Sequence, residues 1–222
     1  MAGIIEADRV SKTYTIGERT LTVLKDVSVT IEAGEFVAII GSSGSGKSTL
    51  LSLLSGLDTP TTGRLRVAGQ DITDLSEDEL APLRNKTIGF VFQSFHLVPS
   101  LSAIENVMFP AELAGKRGAR ISAEKLLTRV GIANRADNFP HQLSGGEKQR
   151  VAICRSLINN PAILFADEPT GNLDSNNGAA ILDQLLELQR EQQTTLVMVT
   201  HDPTIAARAD RVIELQDGRV VT

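Results

Sequence analysis

The residues with the clearest capacity for chemistry form one glycine-rich and serine-rich segment, Gly41-Ser42-Ser43-Gly44-Ser45-Gly46-Lys47-Ser48. Its spacing is that of a phosphate-binding loop, G-x-x-x-x-G-K-S, because glycines let backbone amides turn toward a phosphate and Lys47 reaches the terminal oxygens. A helix that starts at the end of the loop adds the positive end of its dipole. The Ser48 hydroxyl can then hold Mg2+, and Thr49 is the next candidate for nucleotide contact. The alternative is a flexible glycine-serine turn.

Two adjacent carboxylates, Asp167 and Glu168, follow an apolar run at residues 163–166. An open parallel sheet binds its ligands at the carboxyl ends of its strands, so this position suits Asp167 for Mg2+, directly or through water. Neighbouring side chains of a strand point to opposite faces, which leaves Glu168 to orient the water that attacks a phosphate. An acidic turn before Pro169 is the plainer alternative, and it is weak beside a phosphate-binding loop.

The elements that must position these groups are predicted from the hydrophobic pattern. Residues 5–10 and 21–31 alternate apolar and polar side chains around Gly17, which predicts paired strands in an N-terminal antiparallel layer. A buried strand at 36–40 leads into the loop, and leucines at helical spacing follow it. Further buried strands are predicted at 88–92, 162–166 and 195–199, with helices at 76–84 and 178–191 between them. The pattern indicates an α/β fold with a parallel sheet and crossover helices.

The character of the sequence changes between positions 95 and 159, where helical patterns at 104–113, 122–130 and 146–157 replace the strand-like runs. We therefore predict one domain over residues 1–222. Its nucleotide-binding core comprises 1–94 and 160–222, and a helical subdomain is inserted at 95–159. The tail at 210–221 returns to strand signals around the turn Gln216-Asp217-Gly218.

Composition excludes several classes of function. The chain of 222 residues has 41% hydrophobic and 22% charged residues, and no apolar run approaches the ~20 residues that span a bilayer. A net charge of -5 disfavours nucleic acid as a partner. The single cysteine, Cys154, has no companion for a disulfide or a metal site. Residues 1–10 lack the pattern of a secretory signal, so we expect the protein in the cytosol.

A pair of adjacent glycines further along the chain narrows the class of nucleotide-binding protein to which the sequence can belong. Leu143-Ser144-Gly145-Gly146-Glu147 precedes a predicted helix, and a serine with two glycines at a helix N-terminus forms an anion-binding nest. The segment resembles the LSGGQ signature of the ABC ATPase family, with Glu147 in place of glutamine, a frequent variant. The resemblance implies a P-loop NTPase core of the RecA-like type, with the antiparallel layer and the inserted helical subdomain. It also implies that Ser144, Gly145, Gly146 and Glu147 bind the ATP of a second copy.

The same resemblance implies roles for four further residues. Tyr14 matches the aromatic residue that stacks on adenine, and Gln93 matches the glutamine that reaches Mg2+ and the attacking water. Asp174, in Asn172-Leu173-Asp174, matches the loop that crosses the dimer interface, and His201 matches the histidine that contacts the γ-phosphate. Taken singly, Gln93, Asp174 and His201 are more often surface or capping residues. With Lys47 and Glu168, Gln93 and His201 complete the predicted catalytic set.

Longer stretches around Tyr14, at 89–95 and at 167–174 are similar to a bacterial branch of this family that includes the MacB, LolD and FtsE ATPases, and most of all to its YbbA-like members. This implies a subunit that dimerises around ATP and Mg2+ and drives a separate permease of the MacB/LolCE/FtsX-like type. Such a subunit is peripheral on the inner face of the cell membrane and serves an exporter or an envelope-acting system. One alternative is an ATP-dependent regulator of an envelope hydrolase. The other is a nucleic-acid-acting ABC ATPase, which the acidic balance disfavours.

Overall fold

A computed structural model describes residues 3–17, 19–173 and 175–221. The strands are β1 (Ile5–Ile16), β2 (Arg19–Ile31), β3 (Phe36–Gly41), β4 (Thr62–Val67), β5 (Gln70–Asp71), β6 (Ile88–Phe92), β7 (Ile163–Asp167), β8 (Thr195–Val199), β9 (Arg211–Gln216) and β10 (Arg219–Val220). The helices are α1 (Lys47–Leu54), α2 (Glu77–Thr87), α3 (Ala103–Leu113), α4 (Ala119–Arg129), α5 (Gly145–Leu157), α6 (Ser175–Gln192) and α7 (Pro203–Ala206). Short 3₁₀ turns lie at Ala133–Arg135 and Pro140–Gln142. None of the helices within the described ranges is long and apolar enough to cross a bilayer.

The described chain divides into two compact units. The first runs up to Arg84 and resumes at Thr195, and the second is Asn85–Thr194. The second unit contains β6, β7 and α6 as well as the predicted helical subdomain, because α5 packs against both β6 and α6. The boundaries predicted for that subdomain, 95–159, stay a prediction.

An antiparallel sheet forms one layer of the first unit, with strand order β2-β1-β4-β5. Ile5 pairs with Ile31 on one side and with Val67 on the other, and all three side chains are fully buried. This is the predicted N-terminal layer. The short strands β4 and β5 were missed, because Thr62–Val67 carries glycine and two arginines among few apolar residues.

Parallel strands form the other layer of the first unit. β3 pairs in parallel with β8 and with β9, so that Ile39 lies between Val199 and Ile213, and β10 returns antiparallel to β9. Helix α1 contacts β1, β2, β3 and β8, and Leu50, Leu53 and Leu54 are fully buried there. The start of α1 is therefore fixed by both layers, and with it the loop that precedes the helix.

In the second unit, β6 and β7 pair in parallel from Ile88 opposite Ile163 to Phe92 opposite Asp167. Helix α5 packs against β6 so closely that a Cβ atom on Gly89 would lie 2.3 Å from the carbonyl oxygen of Ser156. Helices α3 and α4 pack against α5. The ends of β6 and β7 and the N-terminus of α5 are thereby held in fixed positions relative to one another.

Candidate functional site

The glycine-rich loop joins β3 to α1 in a conformation that its glycines permit. Gly41, Gly44 and Gly46 have φ angles of 149°, 80° and 103°, which side chains disfavour. A Cβ atom on Gly41 would lie 2.2 Å from the carbonyl oxygen of Leu215, and one on Gly46 would lie 2.9 Å from Leu24 Cδ2. Two of the three glycines are thus needed for close packing as well as for the turn.

A turn near the C-terminus supports the loop. The backbone N–H of Gly218 donates to the Ser45 carbonyl oxygen at 3.1 Å, and the Gly218 carbonyl oxygen accepts from the N–H of Lys25 at 2.8 Å. Gly218 has a φ of 79°, and a Cβ atom there would lie 2.2 Å from the carbonyl oxygen of Val23. The sequence predicted a hairpin turn here, but nothing in it indicated that the turn would brace the loop.

The polar groups of the loop fit a phosphate ligand. Lys47 Nζ donates to the carbonyl oxygens of Gly41 and Ser42 at 2.9 Å each, so the ammonium group lies over the loop. Ser45 is buried, and its hydroxyl has no hydrogen-bond partner in the described structure. Ser42, Ser43 and Ser48 are exposed and Thr49 is half-buried. Helix α1 begins after Gly46, which has no side chain to cap the first N–H groups. A hydroxyl such as that of Ser48 is a hard oxygen donor, as Mg2+ prefers.

Tyr14 is fixed by a small charged cluster on the first unit. Its hydroxyl donates to Asp58 Oδ2 at 2.7 Å, and Lys12 Nζ donates to Asp58 Oδ1 at 2.5 Å and to the Thr59 carbonyl oxygen at 2.7 Å. The Lys12 ammonium group also lies 4.9 Å from the centroid of the Tyr14 ring. Burial alone would raise the pKa of Asp58, but the hydrogen bonds from Lys12 and Tyr14 hold it below its usual range. An ionised Asp58 therefore anchors the half-exposed ring, which leaves the Tyr14 side chain presented at the surface.

His201 lies two residues after the end of β8, and its side chain is exposed. It lines a cavity of about 400 Å³ together with Gly41, the first residue of the phosphate-binding loop. Asp202 then caps α7 through a hydrogen bond of 2.8 Å from the N–H of Thr204 to its carboxylate. Within the first unit, the structure thus brings the predicted γ-phosphate contact to the start of the loop.

In the second unit, Gln93 and Glu168 follow the ends of two paired strands. β6 ends at Phe92 and β7 ends at Asp167, and these two residues are register partners, so Gln93 and Glu168 leave the same edge together. Glu168 has a φ of 44°, an uncommon conformation for a residue with a side chain. Strain of this kind concentrates at functional positions. The chain therefore turns out of the strand at Glu168, directly after Asp167.

A clasp joins Gln93 to the segment after the carboxylates. Gln93 Nε2 donates to Asn172 Oδ1 at 3.3 Å, and Asn172 Nδ2 donates to the Gln93 carbonyl oxygen at 3.0 Å. Gly171 lets the two approach, because a Cβ atom there would lie 2.9 Å from Gln93 Nε2. Asp174, the residue predicted at the dimer interface, lies outside the described residues.

Helix α5 begins at Gly145 with Ser144 as its N-cap. The Glu147 carboxylate accepts from the Ser144 N–H at 2.8 Å, and the Ser144 hydroxyl oxygen accepts from the Glu147 N–H at 3.3 Å, which is a capping box. The same carboxylate oxygen also lies 2.9 Å from the Ser144 hydroxyl. The backbone N–H of Ser144 holds the pKa of Glu147 below its usual range, and the Ser144 hydroxyl and Arg135 act in the same direction against the opposing effect of burial. Glu147 is therefore ionised at neutral pH.

Two residues of α5 that the sequence did not single out support the site. The Arg155 guanidinium donates to the carbonyl oxygens of Phe95 and His96 at 2.8 and 2.7 Å, and these two residues have φ angles of 62° and 47°. Gln149 is fully buried, and its Nε2 donates to the Pro169 carbonyl oxygen at 2.5 Å. All three hydrogen bonds run from a side chain of α5 to the backbone carbonyl oxygen of a residue distant in sequence, which hydrophobic patterns do not reveal.

Comparison with known proteins identifies the family. The model of the family described as "ABC transporter" matches residues 24–171, which is well over half of the chain. The chain therefore belongs to the ABC transporter family. It is an ABC-type ATPase, and ATP is its nucleotide. The family and the fold predicted from the loop at 41–48 and the segment at 143–147 are both confirmed.

Curated relatives include macrolide export ATP-binding/permease proteins named MacB. The protein from Syntrophobacter fumaroxidans is 50% identical over 97% of this chain, one from Yersinia pestis bv. Antiqua is 51% identical over 100%, and that from Chlorobaculum tepidum is 53% identical over 98%. The chain covers 31%, 34% and 34% of these proteins, about a third of their length. The predicted MacB/LolD/FtsE-like branch is consistent with these identities, and the likeness to YbbA-like members stays a prediction.

Solved structures include two of the ATP-binding cassette MJ0796. Each is 44% identical, covers 98% of this chain and 97% of its own, and has a TM-score of 0.91. Both are described as dimeric, and one is described as a post-hydrolysis state bound to ADP and Pi. The fold described above is therefore that of an ATP-binding cassette.

Replacing Arg155 by lysine should loosen the segment after Gln93. A lysine keeps the charge but cannot present the planar fork that bonds two successive carbonyl oxygens. Loss of one charge-assisted bond is worth ~1.5–3 kcal/mol, so the amides at 94–97 should exchange with deuterium roughly tenfold faster or more. Hydrogen exchange read by mass spectrometry measures this. The control is Arg150→Lys, because Arg150 on the same helix donates to Gln184 Oε1 at 3.1 Å. Unchanged exchange at 94–97 in Arg155→Lys would refute the supporting role of Arg155.

Proposed function

We propose that the chain hydrolyses ATP as one of two identical subunits, with each ATP held by the phosphate-binding loop of one copy and closed by Ser144, Gly145 and Gly146 of the other. The observation that carries the proposal is the presence of two differently built helix N-termini in one chain. Helix α1 follows a glycine-rich loop and begins with a lysine, whereas α5 follows an exposed serine that caps the helix. Either N-terminus suits an anion. A chain with one nucleotide has use for the second only when it meets the nucleotide of another copy.

The first unit supplies most of the groups that bind the nucleotide. Backbone N–H groups at 41–46 and the Lys47 ammonium group hold the β- and γ-phosphates, and Ser48 with Thr49 lies at the start of α1 beside them. The anchored Tyr14 ring stacks on the adenine. His201 contacts the γ-phosphate, in line with its place on the cavity that Gly41 also lines.

The second unit supplies the groups that act on the reacting phosphate. Within this unit, Asp167 and Gln93 would hold Mg2+, which neutralises the charge that develops on the phosphate oxygens. Glu168 orients and deprotonates the attacking water. Its left-handed backbone supports this role, because the turn separates its side chain from that of Asp167. Asp174 contacts the second copy.

The two copies close around ATP and separate after hydrolysis, and this movement can drive a conformational change in a partner protein. We propose a permease of the MacB/LolCE/FtsX-like type as the recipient, which would place the chain on the inner face of the cell membrane, in the cytoplasm. The relatives named ATP-binding/permease proteins support this, since their names combine an ATP-binding part with a permease. Copurification from gently solubilised native membranes tests the assignment, and recovery without any integral membrane protein contradicts it. A regulator of an envelope hydrolase would use the same motor.

Changing Ser144 should separate hydrolysis from the binding of a single ATP. In Ser144→Arg, the bulky side chain blocks the nest, so turnover should fall at least about 100-fold, as for loss of an essential oxyanion contact. Binding of a fluorescent ATP analogue by the single copy should change less than about twofold.

In the wild type, specific activity should rise with protein concentration, because the two halves of each site come from different copies.

The matched control uses a second capping serine. Ser102 caps α3 in a capping box with Glu105, as Ser144 caps α5 with Glu147. Ser102→Ala and Ser144→Ala should each cost about 1 kcal/mol of stability, but only Ser144→Ala should reduce turnover. If Ser144→Arg weakens ATP binding by the single copy as sharply as turnover, Ser144 acts in the site of its own subunit and the proposal is wrong.

A further inference from the structure

The signature segment of this chain carries a charge that is unfavourable for its proposed ligand. Glu147 stands where the LSGGQ signature has glutamine, and its carboxylate lies at the N-terminus of α5, within 2.8 Å of the Ser144 N–H. In the free protein this arrangement is favourable, because a carboxylate at N3 complements the helix dipole. Against a phosphate it is unfavourable, because two anions at contact distance repel each other. A neighbouring positive charge must therefore offset Glu147 when Ser144, Gly145 and Gly146 receive a phosphate.

Arg135 is placed to do so. Its Nε donates to Glu147 Oε1 at 2.8 Å, while Oε2 accepts from both the N–H and the hydroxyl of Ser144. Both oxygens of the carboxylate are therefore occupied, and its charge is matched by a guanidinium. The Glu147 side chain is 17% exposed and that of Arg135 is 45% exposed, so the pair lies at the surface where a second copy can approach.

The backbone that carries Arg135 is held firmly. Arg135 ends the 3₁₀ turn Ala133–Arg135, and the residues after it bond to the first turn of α3. The N–H of Ile104 donates to the Ala136 carbonyl oxygen at 2.9 Å, and the N–H of Ala103 donates to the Asn138 carbonyl oxygen at 2.8 Å. Arg135 thus reaches Glu147 from a fixed point, and the carboxylate has little freedom to swing toward a ligand at Ser144.

We propose that Arg135 is a positioning residue that makes Glu147 compatible with phosphate binding. It holds the carboxylate through Oε1 and offsets its charge, so that the Ser144 hydroxyl can exchange the carboxylate for a phosphate oxygen. The inference rests on the proposed function, because the phosphate belongs to the ATP of the second copy. Arg135 touches neither substrate nor metal, and it acts through Glu147.

The test is a double-mutant cycle read by ATP turnover at low protein concentration. Arg135→Gln in the wild-type background leaves the carboxylate unpaired beside the phosphate and should lower turnover about tenfold. In the Glu147→Gln background the same change should alter turnover less than about twofold, because no charge remains to be offset. Raising the salt concentration should shrink the tenfold loss, since the repulsion is screened. Binding of a fluorescent ATP analogue by the single copy should be unchanged throughout.

A control and two contrary outcomes keep the inference separate from simple stabilisation. Arg120→Gln breaks another exposed pair, in which Arg120 Nε donates to Glu124 Oε1 at 3.1 Å on α4, and should leave turnover unchanged. If Arg135→Gln is harmless, or if its loss is equal in both backgrounds and follows the melting temperature, the inference is overturned. Failure of the proposed function is recognised independently, by a Ser144→Arg variant that still turns over ATP.

Discussion

A bound nucleoside triphosphate concentrates several negative charges in a small volume, and the protein must meet them with partial positive charges that cost little to orient. Backbone N–H groups at a helix N-terminus do this, because the fold has already paid the entropy of fixing them. The loop between β3 and α1 depends on this constraint. Glycine is needed at positions 41 and 46 because Leu215 and Leu24 leave no room for a Cβ atom there. Close packing therefore fixes the conformation of the loop.

The supports of the site are themselves hydrogen bonds between distant segments. Gly218 braces the loop through the Ser45 carbonyl oxygen, and Asp58 anchors Tyr14. In the second unit, α5 holds the backbone after Gln93 through Arg155 and the backbone after Glu168 through Gln149. Helix α5, which Ser144 caps, therefore also fixes both strand ends that the predicted catalytic residues Gln93 and Glu168 follow. Movement of α5 on meeting a second copy would reach Gln93 and Glu168 through these bonds.

Most of what the sequence predicts correctly comes from local patterns, namely apolar runs and the spacing of motif residues. β6 and β8 were predicted with their observed bounds, because continuous apolar runs end at polar residues. β4 and β5 were missed because their stability comes from pairing with β1, which is not a local property. Lys47 and Glu168 could be named because motif spacing identifies them. Arg135 and Arg155 could not, since their roles depend on the backbone carbonyl oxygens and carboxylates that the fold brings to them.

The central claim, that two copies close around ATP, is tested most directly by the mass of Glu168→Gln. This variant keeps the size of the side chain but loses the base, so ATP should bind and not be consumed. With ATP and Mg2+, size-exclusion chromatography with light scattering should give about twice the mass of one copy, whereas ADP should not. Glu187→Gln, which alters an exposed glutamate paired with Arg129, should behave as the wild type. A Glu168→Gln variant that hydrolyses ATP at the wild-type rate, or that keeps the mass of one copy at saturating ATP, would contradict the account.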